Sequence, residues 1–323
     1  MTEPNASWLG FLNTQGMSPE PADVHAGMVA PLNHLGVLAV SGADAETFLH
    51  NQLTNDVLGL TPGAMHLGGY CSPKGRLLAT LIIWKSDQGI MLVMPRELLP
   101  GVQKRLQMFV LRSKVTLADV SEQTVLIGAA APDMQEISFS DAGGVNAIWP
   151  SAAGLQRVLW MGPVESAIHL WNNLSQKLSR VSASRWRWLD IRAGLPMVVE
   201  ATREQFVPQM VNFDLVGGVN FRKGCYPGQE IVARSQYLGK LKRRMLLAST
   251  QAELVIAGME IFSEADPGQP CGLVVNAEKN PEGSWDLLVE IKLDAAQTPV
   301  HLGAVNGGLL QFSEMPYVIR DPE

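Results

Sequence analysis

Phe221-Arg222-Lys223-Gly224-Cys225-Tyr226-Pro227-Gly228-Gln229-Glu230-Ile231-Val232-Ala233-Arg234 holds one of the chain's three cysteines, with two cations directly before it. Pro227 presets φ and Gly228 accepts φ > 0, so a turn is expected there. Gln229 onward has the composition of a helix start, with the acid Glu230 in its first turn and Arg234 further on. A thiol just before a helix N-terminus, beside Arg222 and Lys223, has surroundings that favour the thiolate. At this level two readings stay open: a reactive thiol, or a small buried hydrophobe.

The chain has 323 residues, enough for about two domains. Its longest apolar runs, such as Leu77 to Trp84, are strand-sized, so no membrane span is expected. No lysine or arginine precedes Lys74, which leaves no basic n-region for a secretory signal, and a cytoplasmic location is expected. Cys71, Cys225 and Cys271 form no CxxC pair and no zinc spacing. The net charge of −6 is uneven: residues 177–244 carry +8 and residues 245–323 carry −9. A basic block around the cysteine favours an anionic ligand or a nucleic acid there.

Residues 1–30 are rich in Pro, Gly, Asn and Ser and are expected to be irregular, with a short apolar anchor at Trp8 to Leu12. The periodicity then predicts a strand at Gly36 to Ser41, a helix over Ser41 to Leu53 and an extended stretch at His66 to Ser72. Ser72-Pro-Lys-Gly75 reads as a turn and Arg76 to Trp84 as a strand. Ser86 to Gly89 reads as a second turn, followed by a strand at Ile90 to Met94, a helix at Arg96 to Leu111 and a strand at Lys114 to Val120. That order is a split βαβ arrangement with one extra strand. A second cycle follows: strands Val125 to Ala131 and Leu155 to Met161, separated by a Gly143-Gly144 loop, then helices Pro163 to Leu178 and Ala183 to Ala193. Beyond about residue 244, short strands alternate with turns, the pattern of a small β-barrel. The expected fold is α+β: an irregular segment 1–30, α+β domains over 31–243, and a C-terminal β-barrel over 244–323.

No GxGxxG follows a strand, and there is no P-loop, nucleophile elbow or histidine pair at metal spacing. The string Lys223-Gly-Cys-Tyr-x-Gly-Gln-Glu230 is specific, however. It resembles the signature of the YgfZ-type folate-binding proteins, relatives of the glycine cleavage T-protein, an aminomethyltransferase. Ser41-Gly-Ala-Asp44 with Gln52-Leu-Thr-Asn-Asp-Val57, Leu189-Asp-Ile-Arg-Ala-Gly-Leu-Pro196, Phe206-Val-Pro-Gln209 and Asn212-Phe-Asp-Leu215 resemble further segments of that superfamily.

The resemblance implies a T-protein-like folate-binding fold and a tetrahydrofolate, or a derivative of it, in a central channel. Two folate contacts of the family fall on Leu35 and Trp186. Trp186 keeps an aromatic able to stack on a pterin, whereas Leu35 replaces an aromatic. Trp186 and Trp188 are two apart on a predicted helix, so one is expected to line the pocket and the other to pack in the core. The acidic residue that T-proteins set against the folate amine falls here at Ala79 or Thr80, neither of which can act as a base, so binding without aminomethyl transfer is implied.

The YgfZ branch adds Cys225 and is associated with assembly or repair of iron–sulfur enzymes, including a tRNA methylthiolation enzyme. The resemblance therefore implies folate and such enzymes or assembly proteins as partners. Lys223 and Arg222 would stabilise the thiolate, with Gly224 and Gly228 giving it room. Tyr226, Gln229 and Glu230 complete the motif, the last two also serving as helix-start residues. No permanently bound metal is expected, since one thiol cannot hold a cluster. Two alternatives remain: a folate-dependent one-carbon transferase, the class expected if the protein is an enzyme on its own, and an adaptor that binds RNA directly through the +8 block.

Overall fold

Leu77 to Trp84 is apolar except for Thr80, leaving no face for water. It becomes β4 (Leu77–Ser86), buried over its first eight residues, at the inside of an antiparallel sheet. The computed structural model describes residues 6–16, 27–86, 89–135, 137–139, 143–237 and 241–319. In this first sheet the strand order is β3 (Met65–Cys71), β4, β5 (Gly89–Pro95), β2 (Leu35–Ser41) and β6 (Thr116–Asp119). Helices α2 (Ala45–His50) and α3 (Leu99–Val110) cover it. They bury Phe48 and Leu49 from α2, and Leu99, Val102, Leu106 and Val110 from α3. The split βαβ order is present. The expected helix over Ser41 to Leu53 is shorter, because Asp44 turns away to accept a hydrogen bond from the Lys114 backbone N–H at 2.7 Å. Asp87 and Gln88, in the expected second turn, lie outside the described residues.

The second sheet has the order β10 (Ser179–Arg180), β1 (Met28–Pro31), β7 (Val125–Ala131), β9 (Leu155–Gly162) and β8 (Val145–Ala152). Helix α4 (Val164–Leu174) lies between β9 and β10 in the chain, and α5 (Ala183–Arg192) follows β10. Besides the two-residue β10, two of these strands depart from expectation. β1 is only four residues long, all buried, and pairs with β7 although about a hundred residues separate them. β8 occupies the segment after Gly143-Gly144. It carries Pro150 and alternates exposed and buried residues, which suits a sheet edge where a missing N–H costs nothing.

The expected irregular N-terminal segment also needs correcting: residues 6–15 form a helix, α1 (Ala6–Gln15). The apolar anchor within it is present. Trp8 and Leu12 are buried, Trp8 meeting Trp171 edge-on at 5.7 Å between centroids. Residues 1–5 and 17–26 of that segment lie outside the described residues.

The third sheet is antiparallel throughout, with the order β15 (Val300–Leu302), β12 (Glu260–Ser263), β13 (Gly272–Lys279), β14 (Trp285–Lys292), β11 (Arg243–Thr250) and β16 (Gln311–Ser313). It curls as a half-barrel, in keeping with the small C-terminal barrel expected. Helix α6 (Gln229–Tyr237) precedes it. Lys240, at the expected domain boundary, lies outside the described residues. Met245, Leu247, Val275 and Leu288 of this sheet share one apolar cluster with Phe48, Leu92 and Phe213, so the sheets pack on common cores.

Polar staples fix the third sheet to the preceding segment. Asn212, in the left-handed region at φ 55°, donates to the Met245 carbonyl at 2.8 Å and accepts from the Met245 N–H at 3.3 Å. Arg244 donates to Asp214 at 2.8 Å and to the Gln209 carbonyl at 3.0 Å, with both partners of the ion pair buried.

Glu290, 1% exposed, accepts from Arg243 at 2.6 Å, and burial lifts its carboxyl from an ordinary 4.5 to about 7 despite that cation. The folded state thus holds a proton that the unfolded chain releases. This contribution to stability is full below about pH 4.5 and is lost as pH rises through about 7, roughly 3 kcal/mol in all. Glu290→Gln should flatten the pH profile of denaturant unfolding between those limits. An unchanged slope would show that Glu290 titrates normally.

Candidate functional site

The cysteine loop is built from its glycines outward. Gly228 has φ +81°, and a Cβ on it would lie 2.4 Å from the Ser72 carbonyl oxygen and 2.6 Å from the N and Cα of Gly75. The Pro227-Gly228 turn therefore rests directly on the Ser72–Gly75 turn between β3 and β4, backbone on backbone. The Gln229 N–H then donates to the Tyr226 carbonyl at 3.2 Å and α6 begins, with Glu230 exposed in its first turn. Gln209 holds the helix from beneath through a 2.7 Å hydrogen bond to the Val232 carbonyl.

Lys223 reaches across to the end of α2. Its Nζ donates to the carbonyls of His50 and Leu53, the latter at 2.9 Å, and stands 4.8 Å from the Tyr226 ring centroid. Burial lowers its pKa to about 8, against the pull of Asp56 and Cys225, both near enough to raise it. Lys223 is thus a staple as well as a charge beside the thiol. Arg222 is exposed, and its backbone N–H donates to the Asn220 side chain at 2.8 Å. Tyr226 is buried, and burial raises its phenol further.

Cys225 and Gly224 are both exposed. Cys71 and Cys271 are buried, which pushes the Cys71 thiol up to about 12 and raises that of Cys271. Of the three, Cys225 is the thiol an external partner can reach. His50 escaped the sequence reading, and Asp56 entered it only within the 52–57 segment, not as a neighbour of the cysteine loop. His50 Nδ1 lies 3.0 Å from Asp56 Oδ1, and its Nε2 is 3.7 Å from where a Cβ on Gly224 would be. They sit about 170 residues from the cysteine, with no local pattern to mark them. Burial alone would raise the Asp56 carboxyl, but the Gly59 N–H and His50 hold it below its ordinary value.

The segment 52–57 leads from this loop to the centre of the molecule. Thr54 Oγ1 donates to the Gly218 carbonyl at 2.6 Å, and the Asn220 N–H donates to the Thr54 carbonyl at 2.9 Å. Asn55 donates to the carbonyls of Leu67 at 2.6 Å and Gly217 at 2.8 Å. Asn55 and Gly217 also line an open hollow that shares Leu67 and Trp149 with an inner cavity.

The inner cavity, about 40 Å³, is lined by Leu35, Thr80 and Trp149 among others. It shares Pro95, Asp190, Leu195 and Met197 with a larger one of about 330 Å³. The larger one adds His34, Glu97, Arg187, Asn276 and Glu278. Its volume suits a small organic ligand.

Asp190 joins the two cavities. Its Oδ1 accepts from Arg157 Nη1 and from Trp149 Nε1, each at 2.8 Å. Burial raises its carboxyl pKa, and Arg157 and Trp149 oppose that rise. Burial lowers His34 to about 3, so its ring is neutral, and neither ring nitrogen has a protein partner. Arg187 donates to Glu278, and Asn276 locks the wall through reciprocal bonds with the Met197 backbone at 2.9 and 2.8 Å.

The predicted residues are thus only partly brought together. Leu35 lines the inner cavity, but Trp186 lines neither. Trp186 is 2% exposed and packs on Gly128, where a Cβ would fall 2.4 Å from the indole, with the Arg157 guanidinium 5.0 Å from its centroid. Trp188 is also buried, donating to Asp286 at 2.8 Å. The expectation that one of these rings faces the pocket is corrected: both are packed, because Gly128 leaves a slot that the Trp186 ring fills. Ala79 is fully buried, and Thr80 accepts from the Val198 N–H at 3.0 Å, so neither supplies an acid. Residues 222–230 line none of the described cavities. Among the described residues there is no group of three or more metal-ligating side chains, and no helix long and apolar enough to cross a membrane.

This arrangement of sheets has the fold of the T-protein aminomethyltransferases. The chain superposes on the glycine cleavage system aminomethyltransferase T of Bartonella henselae with a TM-score of 0.72 and 17% identity, covering 94% of this chain and 91% of that one. No family model matches the chain. It is 30% identical over 308 residues to the tRNA-modifying protein YgfZ of Klebsiella pneumoniae (strain 342), covering 90% of this chain and 93% of that relative. It is 27% identical to that of Escherichia coli O7:K1 (strain IAI39 / ExPEC), with the same coverage. The chain belongs to the YgfZ family.

Proposed function

We propose that this protein binds tetrahydrofolate or a derivative in the joined central cavities. We also propose that Cys225, presented at the surface, acts on partner enzymes in iron–sulfur assembly or repair, and thereby on tRNA modification. The observation that carries the folate reading is Asp190. Both of its protein donors meet Oδ1, and the residue lines both cavities. A carboxylate there complements the N–H edge of a pterin. His34, Asn276 and Arg187 would supply further polar contacts, and Leu35 an apolar one. Bound folate would supply a one-carbon carrier. Trp186 supports the site from behind, by packing beneath the Arg157 that holds Asp190.

The transferase alternative is less well supported. Ala79 and Thr80 offer no base, and Asp190 is tied to a cation rather than free to take a proton. The thiol reading rests on access and charge: Cys225 is exposed, with the Lys223 ammonium held close by.

Trp149 touches both Asp190 and the cavity, so titration with tetrahydrofolate should change tryptophan fluorescence saturably. Asp190→Asn, which keeps shape but loses charge, should weaken binding about tenfold or more. No saturable signal and no calorimetric heat with any reduced folate would exclude the site. In a strain lacking its own YgfZ, Cys225→Ala should fail to restore the iron–sulfur tRNA methylthiolation that wild type restores, and full restoration would remove the thiol role.

A further inference from the structure

The end of α3 carries a surface that the sites above do not use. Residues 104–114 read Lys-Arg-Leu-Gln-Met-Phe-Val-Leu-Arg-Ser-Lys. Leu106 and Val110 face the core, but Met108, Phe109 and Leu111 are 59%, 40% and 87% exposed. Leu111 is also strained: it closes the helix at φ 45°, ψ −105°. Glycine or asparagine is the residue helices normally place at a positive-φ ending, because a Cβ is disfavoured there. The chain keeps a leucine whose side chain adds nothing to the core and whose backbone would relax as glycine.

Four cations lie in the same stretch: Lys104, Arg112 and Lys114 are exposed, and Arg105 is half-buried with its guanidinium near the Tyr70 phenol. The Arg105 guanidinium stands 6.0 Å from the Phe109 ring centroid. Phe109, Leu111, Arg112, Ser113 and Asp44 line an open hollow of about 710 Å³. Asp44, the acid of that lining, is engaged by the Lys114 N–H. Within that lining Arg112 and Asp44 balance, so the excess positive charge at this end of α3 comes from Lys104, Arg105 and Lys114 beside the hollow, on a chain whose net charge is −6.

We propose that this surface docks an acidic helix with an apolar face, belonging to the partner protein on which Cys225 acts. Charge complementarity selects the acid, and the exposed Met108, Phe109 and Leu111 select the apolar stripe. RNA would use the cations without requiring Leu111, and the face of Phe109 is already taken by Arg105. A bilayer would need a longer apolar stripe, but Leu99, Val102, Leu106 and Val110 of the same helix are turned into the core. The link to the thiol is short. Asp44, at one end of α2, borders the docking surface, while the His50 carbonyl at the other end binds Lys223, and six helical residues span about 9 Å. The identity of the partner rests on the thiol reading, whereas the docking itself does not.

The test is fluorescence anisotropy with the full chain and a labelled peptide of about 16 residues, glutamates on one helical face and leucines on the other. The leucine peptide should bind saturably. A control peptide with serine for leucine, and the variants Leu111→Gly and Arg112→Glu, should each weaken binding about tenfold or more. Leu111→Gly should melt no lower than wild type, since it relieves the positive φ, and Cys225→Ala should bind the peptide unchanged. The proposal is overturned by absence of saturable binding, by equal binding to wild type and both variants, or by Leu111-dependent retention on phosphatidylglycerol vesicles or tRNA without peptide binding.

Discussion

Gly228→Val is expected to cost roughly 3–4 kcal/mol of stability, the sum of a disfavoured positive φ and an overlap that nothing can relieve cheaply. The atoms a Cβ would meet are the Ser72 oxygen at 2.4 Å and the N and Cα of Gly75 at 2.6 Å, all backbone. No rotamer change helps, so either the turn between β3 and β4 or the cysteine loop must move. Gly75 is itself pinned, at φ +69°, with Ile231 of α6 2.8 Å from where its Cβ would be. Gly224→Ala is the control. Its Cβ would meet only His50 Nε2 at 3.7 Å, an ordinary contact, and its cost should stay within about 0.5 kcal/mol. Guanidinium unfolding of both variants decides the matter. Equal effects at the two glycines would mean that the packing of the 226–229 turn on the hairpin does not contribute to stability. Gly228→Val should also alter the alkylation rate of Cys225, since the loop that presents the thiol is displaced with it.

Asp190→Ala should be at least as damaging, about 3–5 kcal/mol, because it leaves the Arg157 guanidinium buried without a counter-ion. The Arg157 side chain is fully inaccessible and Asp190 8% exposed, so the lost charge leaves the guanidinium in a low-dielectric site without an anionic partner. The remaining Arg157 contacts, a 2.6 Å bond from Nε to the Pro150 carbonyl and the Trp186 ring, do not neutralise it. Replacing both partners, Arg157→Met with Asp190→Leu, should recover much of the loss. The pair's own attraction is largely cancelled by what it costs to bury two charges. Chemical denaturation of the single and double variants measures this. A double variant as unstable as Asp190→Ala would show that shape, not charge, governs the site. Folate binding should fail in both, which separates the stability role of Asp190 from its role on the cavity wall.

Much of the architecture was legible because it follows from short-range rules. The run Leu77 to Trp84 has one polar residue in eight and can only be an interior strand. The apolar spacing of α3 names its buried face, and Pro227-Gly228 names a turn. The cysteine motif was legible for the same reason, being contiguous. What escaped was set by partners far apart in the chain. β1 is too short to carry a pattern and exists because β7 pairs with it. β8 reads as a loop because its proline and polar positions suit an edge. Trp186 has the composition of a stacking residue, but Gly128, 58 positions earlier, turns it into a packed one.

The chemistry divides in the same way. A cysteine preceded by two cations, a positive-φ glycine and a place without a carboxylate at Ala79 and Thr80 are properties of local strings, and reading the chain sufficed for them; that the cysteine is exposed rather than buried came from the structure. That Asp190 stands on a cavity wall between Arg157 and Trp149 is a property of packing, as are Lys223 reaching the carbonyls of α2 and a strained Leu111 facing solvent near the far end of that helix. Periodicity reports which side of an element is apolar. It carries no information on which buried groups meet, because contact energies act across sequence separations that no window of residues contains.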